Sequence, residues 1–154
     1  MNVERLRTVD DALAHWPLFR EGLEHLNGLL KPEKRVKAEK FFSVVLNSIA
    51  KGDKLGHVAV YRVDERSEPI GFTIAHVFDD AYYDIKVVLV HAAYARKTVP
   101  GASRFALQHL EKWAKASGFQ ELQAFTPRIN GKGFAIFEKR FGFKRHLVHF
   151  FKTL

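Results

Sequence analysis

Apolar and polar residues alternate along this chain with two different periods, and the period distinguishes strands from helices. Val3–Val9 alternates between apolar and polar residues over a short span and predicts a short strand. The apolar residues that follow recur at steps of three and four, which predicts one face of a helix; they are Trp16, Phe19, Leu23, Leu26 and Leu30. Asp10 and Asp11 suit the start of this helix, and Pro17 falls near its first turn or kinks it.

A second helix is predicted from Lys31 to Asp53, because Pro32 suits its first turn and Gly52 suits its end. The first half of this helix is rich in basic residues, which are Lys31, Lys34, Arg35, Lys37 and Lys40. A solvated helix face is the preferred interpretation of this charge, and a docking surface for an acidic substrate is the alternative.

The period then changes from that of a helix to that of strands. Gly56–Val63 and Pro69–Phe78 alternate with period two on either side of a charged turn, which predicts a hairpin. Tyr82–Val90 predicts a third strand, and its continuous apolar end indicates burial on both faces.

The last third of the chain predicts a helix, a strand, a short helix and a final strand or tight strand pair. One face of the first helix is apolar, with Ala102, Phe105, Ala106, Leu110, Trp113 and Ala114, and Gly118 suits the left-handed position that ends it. Phe119–Pro127 is the strand and Gly133–Phe141 the short helix. The whole order predicts an α/β (α+β) fold in one domain over residues 1–154. Its central sheet is expected to be mixed and mostly antiparallel, with helices on both faces.

Composition narrows the classes of protein that fit this pattern. No cysteine occurs, which excludes disulfides and metal sites with Cys ligands, and no metal is expected. The charged N-terminal segment lacks the apolar core of a signal peptide, and no apolar run is long enough to span a membrane. We therefore expect a cytoplasmic protein without a membrane partner. The formal net charge of +8 favours acidic partners such as nucleic acid or an anionic cofactor, although a solvated basic surface explains it equally well.

The segment Tyr94–Ser103 lies between the third predicted strand and the following helix. It reads YARKTVPGAS and contains basic and small residues. Such residues before a helix start can surround a phosphate with backbone N–H groups, and they can also form an ordinary surface turn.

Two longer motifs resemble those of the GNAT family of N-acetyltransferases, as does the order of elements across essentially the whole chain. Arg104–Leu122 is similar to the family's Leu-rich helix, Trp-Ala pair, Gly-Phe turn and next strand. Asn130–Lys144 is similar to a late motif in which Asn is followed by a small residue, an aromatic residue and then Glu-Lys and Gly-Phe. Here the Asn is Asn130, the small residue is Gly133 and the aromatic residue is Phe137.

The resemblance implies that the chain binds acetyl-coenzyme A as co-substrate and acetylates a primary amine by direct attack. In the family a buried strand splays from its neighbour and its end binds the pantetheine arm; the matching residues are Val88, Leu89 and Val90. The following loop and helix start bind the pyrophosphate, which implicates Arg96, Lys97, Gly101, Ala102 and Ser103. Asn130 and Phe137 of the late motif complete the set of implied cofactor contacts.

The phosphate loop departs from the family's usual spelling, which is Gln or Arg, two residues, Gly, one residue, then Gly or Ala. Counting back from Trp113 places Thr98 at the Gln or Arg position, and Pro100 removes one N–H donor. Counting forward from Val90 gives a loop about three residues longer than usual. Either Arg96 has taken over the phosphate contact, or the loop no longer makes it.

The catalytic groups are the least determined part of the site. Phe137 occupies the position where the family commonly has a Tyr that protonates the leaving thiolate, and Phe cannot donate a proton. A thiolate with a pKa of about 8 to 9 leaves without that help, so acetyl transfer is still expected. Asp84 is the first candidate for the base that takes the amine proton, and Tyr83 and His91 are the alternatives.

A non-catalytic or weakly active binding protein on the same fold is the rival hypothesis, and its partner could be a nucleic acid that it binds or modifies. Basic residues along the chain would carry that contact: Lys34, Arg35, Lys37, Arg128, Lys132, Arg140 and Arg145. A third idea makes the two front helices a docking surface through Trp16 and Phe41–Phe42, residues that a core position explains more simply. The acceptor is a small-molecule or protein amine that the sequence does not name. It also leaves the oligomeric state open, with a homodimer among the options.

Overall fold

One sheet organises the chain, and its strands separate two layers of helices. The computed structural model describes residues 1–80, 85–119, 121–124, 138–139 and 142–144. The strands are β1 (Asn2–Arg5), β2 (Gly56–Arg62), β3 (Pro69–Asp80), β4 (Ile85–Ala95) and β5 (Leu122–Ala124). The helices are α1 (Val9–Ala14), α2 (Trp16–Gly28), α3 (Ala38–Ala50), α4 (Gly52–Leu55) and α5 (Ala102–Ala116), with a short 3-10 turn at Pro32–Lys34.

The strands lie in the order β1-β2-β3-β4-β5, so neighbours in sequence are neighbours in the sheet. The first four pair antiparallel, and β4 and β5 pair parallel, with α5 as the connection. This arrangement confirms the predicted mixed, mostly antiparallel sheet and the hairpin of β2 and β3.

Alternation along β2 divides the core between the two faces of the sheet. Val58 and Val60 pack with residues of α1, α2 and α3, whereas Ala59 and Tyr61 pack with the first turns of α5. A further cluster on the α5 face joins the ends of β3 and β4 to Leu110. Helices therefore cover both faces, as the alternation of each strand predicted.

The first strand is shorter than the sequence prediction, and the reason is local. Thr8 caps α1: its hydroxyl accepts from the N–H of Asp11, whose carboxylate accepts from the N–H of Thr8. This capping box ends the extended segment and recruits Val9 into the helix, so the predicted strand Val3–Val9 was wrong after Arg5. The predicted single helix is divided at His15, and Pro17 is the second residue of α2, which confirms the first-turn position among the two alternatives.

The predicted helix from Lys31 to Asp53 is also interrupted, because a side chain holds its first part extended. The amide of Asn27 accepts from the N–H of Val36 at 2.8 Å and donates to its carbonyl at 2.9 Å. This clamp leaves only the short turn Pro32–Lys34 before α3 begins at Ala38. The basic residues of the segment are exposed, and the rings of Trp16 and Phe42 pack with centroids 5.0 Å apart. Phe41 is 6% exposed, so core packing accounts for these aromatic residues of the front helices.

The second half of the fold contains the other differences. β4 continues to Ala95, five residues past the predicted end of the third strand, and Tyr82–Asp84 of that prediction lie outside the described residues. α5 matches its prediction, and Gly118 has the expected left-handed backbone, with φ +87. β5 lies inside the predicted strand Phe119–Pro127. The predicted helix Gly133–Phe141 and the final strand fall mostly outside the described residues. Within the described part of the chain, no helix has the length and apolar character that crossing a membrane requires.

Candidate active site

A β-bulge interrupts the pairing of β4 with β3. Ala75 of β3 pairs with Val90, and Ile74 pairs with Ala92, which leaves His91 as an extra residue of β4. Beyond the bulge, β4 stays paired with β3 up to Ala95. The three predicted residues Val88, Leu89 and Val90 lie directly before the bulge and pair in parallel with Leu122, Gln123 and Ala124 of β5.

The bulge also reverses the faces to which β4 directs its side chains. Val88 and Val90 pack on the α5 face, and an unbroken strand would send Ala92 and Tyr94 to the same face. Both instead pack against the cluster on the opposite side, beside α2 and α3. His91 also lies on this side of the sheet; the residue is partly exposed, and its ring contacts that of His76.

The loop between β4 and α5 runs from Arg96 to Gly101 and ends in an open helix start. Gly101 is left-handed with φ +82, and a Cβ added there would have nothing within 4 Å. The loop bonds itself through N–H groups of Val99 and Ala102, each donating to a carbonyl three residues earlier at 3.3 Å. No side chain of the described residues caps the first turn of α5. The N–H groups of Ser103 and Arg104 precede the first bond of the helix, which Phe105 donates to the carbonyl of Gly101, and they can receive an anion.

The predicted residues of this loop have different surroundings. Lys97 and Ser103 are exposed, and Ala102 is 3% exposed because it packs against the sheet beneath α5. Pro100 is exposed and lies one residue before the left-handed glycine. A charged side chain and free N–H groups are thus available at the surface, while the apolar residue anchors the helix start.

Buried polar side chains fix the start of α5 from below. The Tyr61 hydroxyl donates to the carbonyl of Ala106 at 3.3 Å and contacts the Thr73 hydroxyl at 2.6 Å. Thr73 also contacts Nε2 of His57 at 3.1 Å. Burial raises the pKa of Tyr61 and lowers that of His57, so both groups are uncharged at neutral pH. The network holds the helix start in a fixed position relative to β2 and β3.

Arg96 is bound by carboxylates, and its side chain lies on the α2 side of the sheet. Its guanidinium donates to Glu21 through Nε and Nη2, with the shortest contact at 2.7 Å, and Nη1 lies 3.6 Å from Glu68. The Tyr94 hydroxyl donates to the same Glu21 carboxylate at 2.6 Å. These bonds from Arg96 and Tyr94 lower the pKa of Glu21, while burial and the Glu21 carboxylate raise that of Tyr94 to about 12. The Arg96 side chain therefore joins the loop to α2 in this structure.

Replacing Glu21 by Gln is expected to lower the free energy of unfolding by about 1 kcal/mol at neutral pH, a modest loss because the pair is partly exposed. The folded state lowers the pKa of Glu21 below its ordinary 4.5. Its contribution is therefore present above that value and is lost as pH falls through the folded pKa. Urea unfolding at pH 7 and at successively more acid pH should show the difference from wild type shrinking. Glu24→Gln is the matched control, because Glu24 pairs only with exposed Arg20; an equal loss there would contradict this role for Glu21.

A pair of histidines lies on the α3 side of the bulge. Nε2 of His91 is 3.0 Å from Nδ1 and 3.2 Å from Nε2 of His76, and the ring centroids are 4.2 Å apart. The buried hydroxyl of Ser48 contacts Nδ1 of His76 at 3.3 Å. Burial, the His76 ring and the Lys51 ammonium lower the pKa of His91 to about 4. Burial and Lys51 also lower the pKa of His76. Both imidazoles are therefore neutral at physiological pH, with lone pairs available.

Sequence reasoning named His91 and Arg96 but missed their partners. Glu21, His76 and Ser48 come from α2, β3 and α3, and Glu21 lies 75 positions from Arg96. No local pattern marks such contacts. The remaining predicted residues Asp84, Tyr83, Asn130 and Phe137 lie outside the described residues.

Comparisons with known proteins bear on this arrangement. A model of the acetyltransferase (GNAT) family matches residues 22–143. No curated protein matches the chain. Among solved structures, the chain is similar to a "possible acetyltransferase" from Clostridium difficile 630, with TM-score 0.71, 10% identity, and coverage of 99% of this chain and 97% of that one.

Two further solved structures extend the comparison. AAC(6')-Iy, in complex with the bisubstrate analogue CoA-S-monomethyl-acetylneamine, has TM-score 0.68 and 16% identity, with 99% of this chain and 97% of that chain covered. A ribosomal-protein-alanine N-acetyltransferase from Brucella melitensis biovar Abortus 2308 has TM-score 0.59 and 17% identity, with 97% and 100% covered. At these identities the structures establish a shared fold.

Proposed function

The chain belongs to the acetyltransferase (GNAT) family, and we propose that it transfers the acetyl group of acetyl-coenzyme A to a primary amine. The observation that carries this proposal is the meeting of two features at one edge of the sheet. The β4–β5 register of the described residues ends at Val90, and the uncapped start of α5 follows a loop of six residues, Arg96–Gly101. Backbone groups past the last paired residues can bind an extended amide chain, and the helix start can bind an anion.

Coenzyme A fits these donors by its own chemistry. Its pantetheine arm carries amides that pair with strand backbone, which we assign to the Val90 end of the segment Val88, Leu89 and Val90, because the N–H of Val88 already donates to Glu121. Its pyrophosphate is an anion, which we assign to the N–H groups at Gly101 and Ser103 and to the exposed ammonium of Lys97, while Ala102 anchors the helix start. The open space at Gly101 allows the phosphate oxygens to approach the backbone closely.

Because β4 extends to Ala95, the family's phosphate-loop pattern can be aligned with this sequence in a second way. Arg96 is the first residue after the strand, and ending the family's pattern at Gly101 places Arg96 at its Gln or Arg position. Val99 then occupies the position of the first Gly. The Arg96 guanidinium is held by Glu21, so we assign its contribution to the backbone and to fixing the loop against α2. The pyrophosphate contact falls to the helix start and Lys97.

Acetyl transfer requires a neutral amine that attacks the thioester carbonyl. We assign stabilisation of the developing oxyanion to a backbone N–H near Leu89 or Val90. Asp84, Tyr83 and His91 are the candidate bases, and Asn130 and Phe137 are further cofactor contacts that the resemblance implies. With Phe137 at the usual acid position, the thiolate leaves without a proton from that side chain. The acceptor is a small-molecule or protein amine, in keeping with relatives whose names refer to an aminoglycoside-type analogue and to a protein alanine.

Isothermal titration calorimetry with acetyl-coenzyme A tests this proposal without knowledge of the acceptor. We expect binding of one molecule per chain in the micromolar range that is typical of enzyme substrates. Acetyl-pantetheine, which lacks the pyrophosphate and nucleotide, is expected to bind more weakly because it cannot contact the N–H groups at the start of α5. Absence of heat from acetyl-coenzyme A with folded protein at high concentration would contradict acetyl transfer and favour the binding-protein hypothesis.

A further inference from the structure

We propose that His91 is a catalytic residue that takes the proton of the attacking amine, and that His76 and Ser48 position it. This inference rests on the proposed acetyl transfer. It starts from the bulge in β4, where His91 lies on the face opposite to Val90 and contacts His76 of β3. The extra residue is His91, and it directly follows Val90, where the described β4–β5 register ends.

The cross-strand contact gives the His91 ring a defined direction. Its Nε2 lies 3.0 Å from Nδ1 of His76, a distance at which one nitrogen donates a proton to the other. With Nε2–H of His91 donating to the His76 ring, Nδ1 of His91 carries the lone pair that faces the substrate. This division of tasks between two ring nitrogens is what a histidine base requires.

Ser48 contacts the His76 ring from α3. It is 1% exposed, and its hydroxyl lies 3.3 Å from Nδ1 of His76, the same nitrogen that lies 3.0 Å from Nε2 of His91. His76 is thus held between α3 and β4, and His91 lies against His76. When His91 gains a proton on Nδ1, the contact of its Nε2–H with His76 keeps the ring in position.

The charged and titratable groups around the pair keep the His91 ring neutral, so its lone pair is available to accept a proton. His91 faces His76 from β3 and Lys51 from the end of α3, and burial together with these two groups disfavours its protonated form. The pair is therefore neutral at physiological pH. A base of low proton affinity also releases its proton easily, which matters for the second half of the reaction.

The proposed step balances without a further reactant. The amine nitrogen bonds to the thioester carbonyl carbon, and its proton moves to Nδ1 of His91. The carbon–sulfur bond then breaks, coenzyme A leaves as a thiolate, and His91 returns the proton to that sulfur, which is the stronger base. The products are an amide and a thiol. This route supplies the proton that Phe137 cannot supply.

Bromoacetyl-coenzyme A tests the placement of His91 without an acceptor. A nitrogen lone pair beside the bound acyl group displaces bromide, so the protein gains a carbon–nitrogen bond to the thioester while bromide leaves. We expect mass spectrometry of digested protein to find the label on His91, and acetyl-coenzyme A to protect against it. His91→Gln should abolish this label, and His76→Phe should slow it about tenfold or more, the range of a lost general-base partner. His25→Gln, which changes an exposed histidine on α2, should label at the wild-type rate.

The pH dependence of labelling distinguishes a positioning role of His76 from a purely structural role. An ordinary imidazole reacts faster as pH rises through its pKa of 6.5, whereas His91 should react at a constant rate between about pH 6 and 8. His76→Phe should change this profile, and a variant that only loosens the fold should not. If wild-type protein binds acetyl-coenzyme A but the label goes elsewhere or nowhere, the role of His91 is overturned and acetyl transfer stands. If acetyl-coenzyme A gives no heat of binding, the proposed function itself is overturned.

Discussion

Replacing Gly56 by Ala is expected to destabilise the fold by about 3 kcal/mol, at the upper end for inserting one methyl group into a packed site. A Cβ at Gly56 would lie 1.8 Å from the carbonyl oxygen of Ser48 and 3.3 Å from Cβ of Lys51. The oxygen belongs to the backbone of α3, so relief requires moving the helix end or the first residue of β2. Urea unfolding should show a midpoint lower by about 1.5 M, from the usual dependence for a chain of this size.

Gly28→Ala is the matched control for this effect. A Cβ at Gly28, the last residue of α2, has nothing within 4 Å. Ala is the better helix former, so this variant should be as stable as wild type or more stable by up to about 1 kcal/mol. Equal midpoints for Gly56→Ala and wild type would mean that α3 and β2 can separate at no cost. The same change should disturb the His76 contact, because Ser48 provides both the clashing carbonyl and the hydroxyl that His76 meets.

Most of this fold could be predicted from the alternation of residues along its strands. Along β2, Val58 and Val60 face α1, α2 and α3, whereas Ala59 and Tyr61 face α5, so successive residues alternate between two buried faces. The predicted helix ends at Gly118 and near Pro17 also follow from backbone restrictions that act locally. Features decided by a single residue's conformation were therefore predictable.

The misplaced boundaries have equally physical causes. The strand predicted to Val9 stops at Arg5 because a capping box at Thr8 and Asp11 outweighs two more alternating residues. The third strand was predicted to end at Val90, where its continuous apolar run stops, whereas β4 continues through the bulge at His91 to Ala95. Alanines at 92, 93 and 95 have weak strand preference of their own, so pairing with β3 rather than residue type keeps them extended.

The candidate site was only partly predictable, because its loop is local and its side-chain contacts are not. The sequence of the loop shows a helix start after Gly101, and the structure has one. The direction of the Arg96 side chain depends on Glu21, a residue on another element, and the state of His91 depends on His76 and Lys51. The direction and the protonation state of a side chain on one strand therefore depend on residues of the elements that pack against that strand.

The bulge connects these observations into one arrangement. It turns Tyr94 towards α2, where its hydroxyl meets Glu21 and helps to hold Arg96 at the start of the phosphate loop. His91 lies on the same side of the sheet and contacts His76, beside the end of α3. The inserted residue thus places Tyr94 and the proposed base on one face of the sheet, next to the front helices. Gly22 permits this closeness, since a Cβ there would lie 2.4 Å from the Phe72 ring and 3.1 Å from that of Tyr94.

Replacing Gly101 by Ala is expected to weaken binding of acetyl-coenzyme A about tenfold, which corresponds to about 1.4 kcal/mol. The left-handed backbone at Gly101, φ +82, is unfavourable for a residue with a Cβ, by about 1 kcal/mol. The loop relieves this strain by turning the first N–H groups of α5 away from the phosphate direction. The new methyl group also enters the open space that we assign to the pyrophosphate. Calorimetry with acetyl-coenzyme A should record the loss.

Gly118→Ala provides a control with the same backbone strain at the other end of the same helix. Gly118 has φ +87, and a Cβ there also has nothing within 4 Å. Both variants should therefore lose similar stability, about 1 kcal/mol, in urea unfolding. Only Gly101→Ala should lose affinity for acetyl-coenzyme A, and affinity for acetyl-pantetheine should change in neither. An equal loss of affinity in both variants would trace the effect to the stability of α5. If neither variant loses affinity for acetyl-coenzyme A, Gly101 does not line the pyrophosphate site.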